Sequence, residues 1–159
     1  MVAGDSSSIQ KFVVLYGSSG TGKSTVLNII EQLFPGYTSI FDADALTSRS
    51  DAFASAMFRD SPLVAIHHDA DLSRIDRNQL LNSIVSHEEI IINEKHKTQY
   101  TTSSRSMLFI GTNKPVRITD RQSGLIRRLI DVAPSGKRFD PDEYQLLMSR
   151  IAVDRKSVV

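Results

Sequence analysis

The residues best suited to chemistry form a glycine-rich loop at positions 17–24, Gly-Ser-Ser-Gly-Thr-Gly-Lys-Ser. An apolar run at 12–16 precedes the loop, and a run with helical character follows at 25–34. Glycines let backbone N–H groups turn inward toward an anion, and a helix N-terminus adds partial positive charge. In this strand–loop–helix context, the G-x-x-x-x-G-K-[ST] pattern predicts a site for the phosphates of a nucleoside triphosphate.

Two side chains of the loop have expected roles. Lys23 reaches the β- and γ-phosphates, and the Ser24 hydroxyl binds Mg²⁺. A plain turn before a helix is the alternative, but the fixed positions of the pattern in this context favour the phosphate site. The predicted nucleotide contacts are Gly17, Ser18, Ser19, Gly20, Thr21, Gly22, Lys23, Ser24 and Thr25.

Two further strand ends carry polar side chains. The apolar run 63–66 leads into His-His-Asp-Ala-Asp, which has the form of a Walker B strand and makes Asp69 and Asp71 candidate catalytic acids. We expect Asp69 to be the acid on the metal side, because it lies nearer the strand end. Asn113 follows the run 107–111. If these two strands flank the loop strand, Asp69 and Asn113 point toward one γ-phosphate.

The elements that must position these residues alternate between strand and helix, which predicts an α/β fold with a mainly parallel central sheet. The predicted strands are 11–16, 37–41, 63–66, 89–94, 98–102 and 107–111. The predicted helices are 24–34, 48–59, 75–85, 120–130 and 144–151. The strands at 89–94 and 98–102 form a β-hairpin, with Lys95, His96 and Lys97 at its tip.

Length and composition indicate a single domain. The 159 residues divide into a flexible lead-in at 1–10, a core at 11–151 and a tail at 152–159. There are no cysteines, which excludes disulfides and cysteine-based metal sites. We expect a cytoplasmic protein, because no apolar run reaches membrane-spanning length and no signal segment begins the sequence.

The charges are distributed unevenly. Residues 1–94 carry 6 Lys/Arg against 12 Asp/Glu, whereas residues 95–159 carry 13 against 6. A basic half on a chain of net charge +1 indicates a polyanionic partner, nucleic acid or nucleotide phosphates. A solvated face of scattered bases is the alternative.

The motif order resembles a superfamily 3 helicase core of the phage, plasmid and viral primase-helicase type, an AAA+-like P-loop ATPase. The resemblance runs from residue 12 to residue 139. It matches the loop to Walker A, 63–71 to Walker B, 94–97 to a DNA-contacting hairpin inserted before the sensor-1 strand, and 109–113 to sensor 1. Arg127 and Arg128 match the arginine-finger segment.

The resemblance implies ATP and Mg²⁺ as cofactors, held in part by Ser24 and Asp69. It implies a homo-oligomer, expected to be a hexameric ring, with single-stranded DNA in its pore. A primase region is expected in a longer parent chain, and the host cytoplasm is the expected compartment if a phage encodes it. One departure is that Ala70 separates the two acids, which the family usually has side by side.

The leading hypothesis is an ATP-dependent DNA helicase or translocase motor acting in replication. A P-loop kinase for a small molecule or nucleoside is a second hypothesis. In a kinase, Asp42 and Asp44 would bind an acceptor hydroxyl, and Arg127 and Arg128 would be lid arginines. A nucleotide-gated DNA-binding or assembly module with weak ATPase activity is the third, and the separated acids favour it.

Overall fold

A computed structural model describes residues 8–47, 53–75, 78–119, 124–135 and 140–154, with side chains to residue 150. The described chain is an α/β protein. Seven strands are present in these ranges: β1 (Phe12–Tyr16), β2 (Thr38–Ile40), β3 (Val64–Ala70), β4 (Glu89–Ile92), β5 (Tyr100–Ser103), β6 (Met107–Thr112) and β7 (Leu129–Val132). The α-helices are α1 (Lys23–Leu33), α2 (Ala43–Thr47), α3 (Gln79–Val85), α4 (Leu125–Arg128) and α5 (Pro141–Asp154).

The central sheet has five strands in the order β2-β3-β6-β1-β7, and every neighbouring pair is parallel. The prediction of a mainly parallel sheet flanked by helices is confirmed. Parallel strands are covered on both faces, which explains the continuous apolar runs in β1, β3 and β6. Because all carboxyl ends meet at one edge, the segments that follow β1, β3 and β6 converge there.

Alternate residues of β1 point into two separate apolar layers. Phe12 and Val14 pack in one core cluster with residues of α2 and α3, such as Leu46 and Leu81. Leu15 packs on the other face with Leu27 of α1. The burial of both faces holds the strand, the following loop and α1 in a fixed relationship.

The predicted hairpin is confirmed. β4 and β5 pair antiparallel in a separate two-stranded sheet, directly before β6 in the chain. Ile90 and Ile92 are buried in the core, while Ile91 between them is exposed. This alternation attaches one face of the hairpin to the domain and leaves its tip outside.

The structure corrects several predicted element bounds. The predicted helix at 120–130 is wrong at its end: α4 stops at Arg128, and the next four residues form β7. These residues pair with the open edge of β1, and that pairing overrides their helical periodicity. Residues 120–123 lie outside the described residues.

Three smaller differences concern the bounds of other predicted helices. The predicted helix at 48–59 lies partly outside the described residues, and its described part holds only a 3-10 turn at Ala56–Phe58. Ile75 forms an isolated parallel bridge with Ile118 in place of the predicted helix start. α5 extends to Asp154, past the predicted helix end at residue 151.

Within the described ranges, no helix combines the length and apolar character needed to cross a bilayer.

Candidate functional site

The loop after β1 leads into α1, whose N-terminus has no side-chain cap. Gly22 precedes α1 with a φ of 86°, a left-handed conformation that glycine adopts without steric cost. No side chain caps this end of α1, and its first turn contains no acidic residue. The first-turn N–H groups therefore keep their hydrogen-bonding capacity and partial positive charge for an external anion.

Other residues of the loop are held by the protein itself. The Gly17 N–H donates to the Thr112 carbonyl at 3.2 Å, which ties the loop to the end of β6. The Thr21 hydroxyl donates to the Ser18 carbonyl at 2.9 Å. These bonds fix the loop shape before any ligand binds.

Lys23 lies inside this loop and is only 7% exposed. Its ammonium group donates to the carbonyl oxygens of Gly17 at 2.7 Å and Ser18 at 2.9 Å, and to Asn113 Oδ1 at 2.9 Å. A lysine ammonium has three donors, so all three are in use. A phosphate oxygen that binds Lys23 must therefore replace or share one of these acceptors.

Asn113 connects Lys23 to Asp69. It accepts from Lys23 through Oδ1 and donates from Nδ2 to Asp69 Oδ1 at 2.8 Å. The condition under which these side chains were expected to converge, that β3 and β6 flank β1, is not met, because β6 lies between β1 and β3 and β7 occupies the other side of β1. The three side chains still meet, because each follows or ends one of three consecutive parallel strands.

A β-bulge turns the end of β3. His67 pairs with Ile110 and Ala70 with Thr112, so β3 has one residue more than β6 across this interval. The bulge brings the His68 carbonyl against Gly111, where a Cβ atom would lie 2.3 Å from that oxygen. Only glycine fits this close approach.

The loop, the bulge and α5 surround a cavity of about 420 Å³. Among the predicted site residues, its wall contains Ser19, Gly20, Gly22, Lys23, Ser24, Thr25, Asp69 and Asn113. Ser24 and Asp69, the two predicted Mg²⁺ ligands, therefore face the same space. Hydroxyl and carboxylate oxygens are suitable ligands for this hard cation.

Two residues of the cavity wall were missed in the sequence, His68 and Tyr144. His68 is carried inward by the bulge, which has no sequence signal in a single chain. Tyr144 lies in α5, and its hydroxyl is 3.4 Å from Thr25 Oγ1. Its distance from the loop in sequence hides this contact.

Asp71 is not on the cavity wall. Its carboxylate binds Lys114 Nζ at 2.5 Å and accepts from the Ser73 N–H at 3.0 Å. The hydrogen bond from Lys114 lowers the pKa of Asp71 to about 2. The backbone N–H of Asp71 also donates to Asp44 Oδ1 at 3.0 Å. These contacts tie the residue to the segments beside the cavity.

A second group of polar side chains lies beside the end of β3. Side-chain atoms of Asp42, Asp44 and His67 lie within 4.8 Å of one another, close enough to surround a cation. Each has a structural partner. Asp42 Oδ1 accepts from the N–H groups of Asp44 and Ala45, and His67 Nδ1 accepts from the Ala43 N–H at 2.9 Å.

Arg127 and Arg128 lie at the opposite edge of the sheet from the loop. Phe12, at the start of β1, pairs with Leu129, so α4 ends at the amino edge. Arg128 is partly buried, and its Nη1 donates to Ser86 Oγ. Its Nε is buried without a hydrogen bond among the described residues. Arg127 is exposed, and its carbonyl accepts from Lys11 Nζ.

The hairpin tip is exposed at Lys95, His96 and Lys97. His96 has a φ of 63°, as expected for a tight turn. Lys97 Nζ binds Glu94 Oε2 at 2.6 Å, and Arg59 Nη1 binds the same oxygen at 3.3 Å. The hydrogen bond from Lys97 is the main cause that lowers the pKa of Glu94.

Fold and site together define a parallel α/β protein with a glycine-rich loop at the carboxyl edge of its sheet. Residues 15–128 match DUF5906, a family of unknown function, and the chain belongs to that family. No curated protein matches this chain in sequence.

Solved structures of the NrS-1 C-terminal region are similar in fold. Two apo structures of that region have TM-scores of 0.62 at 17% identity, and each match covers 90% of this chain and 35% of the other. A third apo structure gives a TM-score of 0.57 at the same identity. This chain therefore spans about a third of the length of those chains, and the likeness at this identity is one of fold.

Proposed function

We propose that this chain is the ATP-hydrolysing domain of a DNA helicase or translocase of the superfamily 3, AAA+-like type, acting in replication. The observation that carries the proposal is the hydrogen-bonded series Lys23–Asn113–Asp69 at the uncapped N-terminus of α1. It joins a cation, an amide and a carboxylate on the wall of one cavity. These are the group types that phosphoryl transfer needs to bind phosphate and orient an attacking water.

Each residue of the series has a distinct role in hydrolysis. The first-turn N–H groups of α1 and Lys23 bind the phosphates of ATP. Ser24 and Asp69 would hold Mg²⁺, which would neutralise phosphate charge when bound. Asn113 contacts the terminal phosphate and the attacking water, and its present bond to Asp69 fixes the amide orientation that this role needs.

The arginine finger is Arg127, acting on a neighbouring copy in a ring. It is exposed, and it lies at the sheet edge remote from the loop of its own chain. Arg128 is held by Ser86 and supports the fold. An arginine supplied by a neighbour stabilises charge on the transferred phosphoryl group and makes hydrolysis depend on assembly.

The hairpin tip is the proposed DNA contact. Lys95, His96 and Lys97 are exposed on a hairpin whose other residues anchor it in the core through Ile90 and Ile92. Basic side chains on a protruding tip suit contact with the backbone of a single strand, which is salt-sensitive and tolerant of sequence.

A nucleotide-gated DNA-binding module with slow hydrolysis is the second candidate. Asp69 is the one carboxylate on the cavity wall among the described residues, and Asp71 is bound to Lys114. With one acid to serve both metal and water, turnover would be slow. The kinase alternative has less support, because Asp42 and Asp44 bind backbone N–H groups and both arginines lie far from the loop.

The test is ATP turnover with and without single-stranded DNA. We expect DNA to stimulate turnover in the wild-type chain, and Lys23→Ala to abolish both the basal and the stimulated rates. Slow basal turnover with DNA binding that depends on nucleotide would favour the second candidate. Phosphate transfer to a small acceptor, with no response to DNA, would contradict both and favour a kinase.

A further inference from the structure

The hairpin tip is joined to a residue that the sequence gives no reason to connect with it, Arg59. We propose that the phosphate-binding surface of the tip continues to Arg59, and that Glu94 is the internal counter-ion which a nucleic-acid phosphate displaces. This inference rests on the proposed function of the tip as a contact for single-stranded nucleic acid. It adds a binding residue and a residue that limits affinity.

Glu94 lies between two cations. Its Oε2 accepts from Lys97 Nζ at 2.6 Å and from Arg59 Nη1 at 3.3 Å. The Glu94 side chain is 12% exposed, whereas those of Arg59 and Lys97 are 50% and 59% exposed. The two cations therefore cover the Glu94 carboxylate and face solvent.

Arg59 is held beside the hairpin because serine hydroxyls on either side of it in the chain accept hydrogen bonds from backbone N–H groups at the two arms. The Asn93 N–H, at the end of the first arm, donates to Ser55 Oγ at 3.3 Å. The Arg105 N–H, beyond the second arm, donates to Ser61 Oγ at 3.2 Å. Phe58, the neighbour of Arg59, is fully buried. These hydrogen bonds join the segment 53–61 to both arms of the hairpin, and the burial of Phe58 attaches the segment to the core.

The charges of this surface favour exchange of the carboxylate for phosphate. Arg59, Lys95 and Lys97 supply three cations, and Glu94 and Asp60 supply two anions. Asp60 binds the Nε of Arg59 at 3.0 Å and is 80% exposed, so solvent screens it. A phosphate offers several acceptor oxygens to the guanidinium and ammonium groups, which a nucleic-acid backbone repeats at each nucleotide.

A purely structural ion pair makes the opposite prediction. If Glu94 only fastens the hairpin to the segment 53–61, its neutralisation should loosen the tip and leave nucleic-acid affinity unchanged or reduced. If Glu94 is a counter-ion that phosphate displaces, its neutralisation should raise affinity. Glu94→Gln distinguishes the two, because glutamine keeps the size of the side chain and one acceptor oxygen for the two cations and removes the charge.

The experiment measures binding of a fluorescently labelled oligothymidine by anisotropy across a range of salt concentrations. We expect Glu94→Gln to bind about two- to fivefold more tightly at low salt, the range for release of exposed ion pairs. Glu89→Gln is the matched control, because Glu89 is an exposed acid of the same hairpin. It should match the wild type. Arg59→Ala should weaken binding and reduce the steepness of the salt dependence by about 0.7, the value for one phosphate contact on a single strand.

Each outcome decides the proposal. It is overturned if Glu94→Gln binds no more tightly than Glu89→Gln, or if Arg59→Ala binds as the wild type does. Arg59→Ala keeps the proposal testable should Glu94→Gln fail to fold. If Lys95→Ala weakens binding while these two variants do not change it, the proposal fails and the role of the tip remains. If Lys95→Ala has no effect either, the role of the tip fails with it.

Discussion

Asn113 and Asp69 are joined by a 2.8 Å hydrogen bond from Nδ2 to Oδ1, at the ends of two neighbouring parallel strands. Because Asn113 Oδ1 accepts from Lys23 at the same time, the amide has one orientation only. The carboxylate, the amide and the ammonium therefore act as a unit. A ligand that withdraws Lys23 from Asn113 Oδ1 removes one of the two contacts that orient the amide toward Asp69, which links the phosphate loop to the end of β3.

The first prediction concerns the two roles of Asn113. Asn113→Ala should lower ATP turnover by about 10²-fold, the range for loss of one transition-state donor. Nucleotide affinity should change little, because the lost contact of Asn113 with the terminal phosphate is offset when Lys23 loses a competing acceptor. Asn113→Asp should weaken nucleotide binding, because a carboxylate beside Asp69 repels phosphate. Calorimetric titration and steady-state turnover measure the two effects. Equal losses of affinity in Asn113→Ala and Lys23→Ala would contradict the competition.

The second prediction concerns the contribution of Asp71 to stability as a function of pH. The pKa of Asp71 is lowered to about 2 by Lys114, against about 3.9 for an ordinary aspartate. A carboxylate whose pKa is lower in the folded state contributes its full stabilisation at pH values above the pKa of the unfolded state. That contribution is lost as pH falls from about 4 toward 2. Wild type should therefore exceed Asp71→Asn in urea midpoint at pH 6, and the difference should shrink across that window.

Activity provides the control for this pair. Asp71→Asn should retain ATP turnover, because the carboxylate binds Lys114 outside the cavity. Asp69→Asn should lose turnover, because Asp69 lies on the cavity wall. The opposite ranking of the two variants would make Asp71 the catalytic acid.

The sequence predicts the three central strands β3, β6 and β1 well, because these strands are largely buried and read as continuous apolar runs. The phosphate loop is predicted equally well, since its glycines and its lysine lie within a few residues of one another in the sequence. The strand at Leu129–Val132 is not predicted, and residues 129–130 are predicted as helix, because its strand character depends on pairing with Phe12–Tyr16, more than a hundred residues earlier. Short edge strands are specified by their partner more than by their own residues.

The rest of the candidate site is harder to predict from the sequence, because it also depends on contacts between distant segments. His68 enters the cavity through a bulge, and Tyr144 enters from the last helix. Both depend on how distant segments meet. The positions of Asp69 and Asp71 on and off the cavity wall could not be read from their spacing, because the bulge and the Lys114 contact decide them.

The third prediction tests the bulge. Gly111→Ala should destabilise the chain by about 1–3 kcal/mol, the usual cost of adding a methyl group where backbone blocks it. The new Cβ would lie 2.3 Å from the His68 carbonyl, so β3 must move and Asp69 with it. Nucleotide turnover should fall more than stability alone explains. Denaturant unfolding and turnover at a temperature where both proteins are folded measure this.

Gly36→Ala is the control for the bulge. Nothing lies within 4 Å of its added Cβ, and its φ of +78° makes backbone strain the source of any cost. We expect a comparable loss of stability, about 1–2 kcal/mol, with turnover unchanged. If both variants reduce turnover alike, the loss follows from general destabilisation and the bulge has no special role.

The fourth prediction separates the two arginines. Arg127→Ala should leave the melting temperature unchanged and lower turnover by about 10³-fold or more, the range for an arginine finger. Arg128→Ala should cost about 1 kcal/mol of stability, because its hydrogen bond to Ser86 is lost. Mixing Arg127→Ala with Lys23→Ala should restore part of the activity, since some interfaces then combine an intact loop with an intact finger. Unrestored activity at every mixing ratio, in samples that assemble, would contradict a site shared between copies.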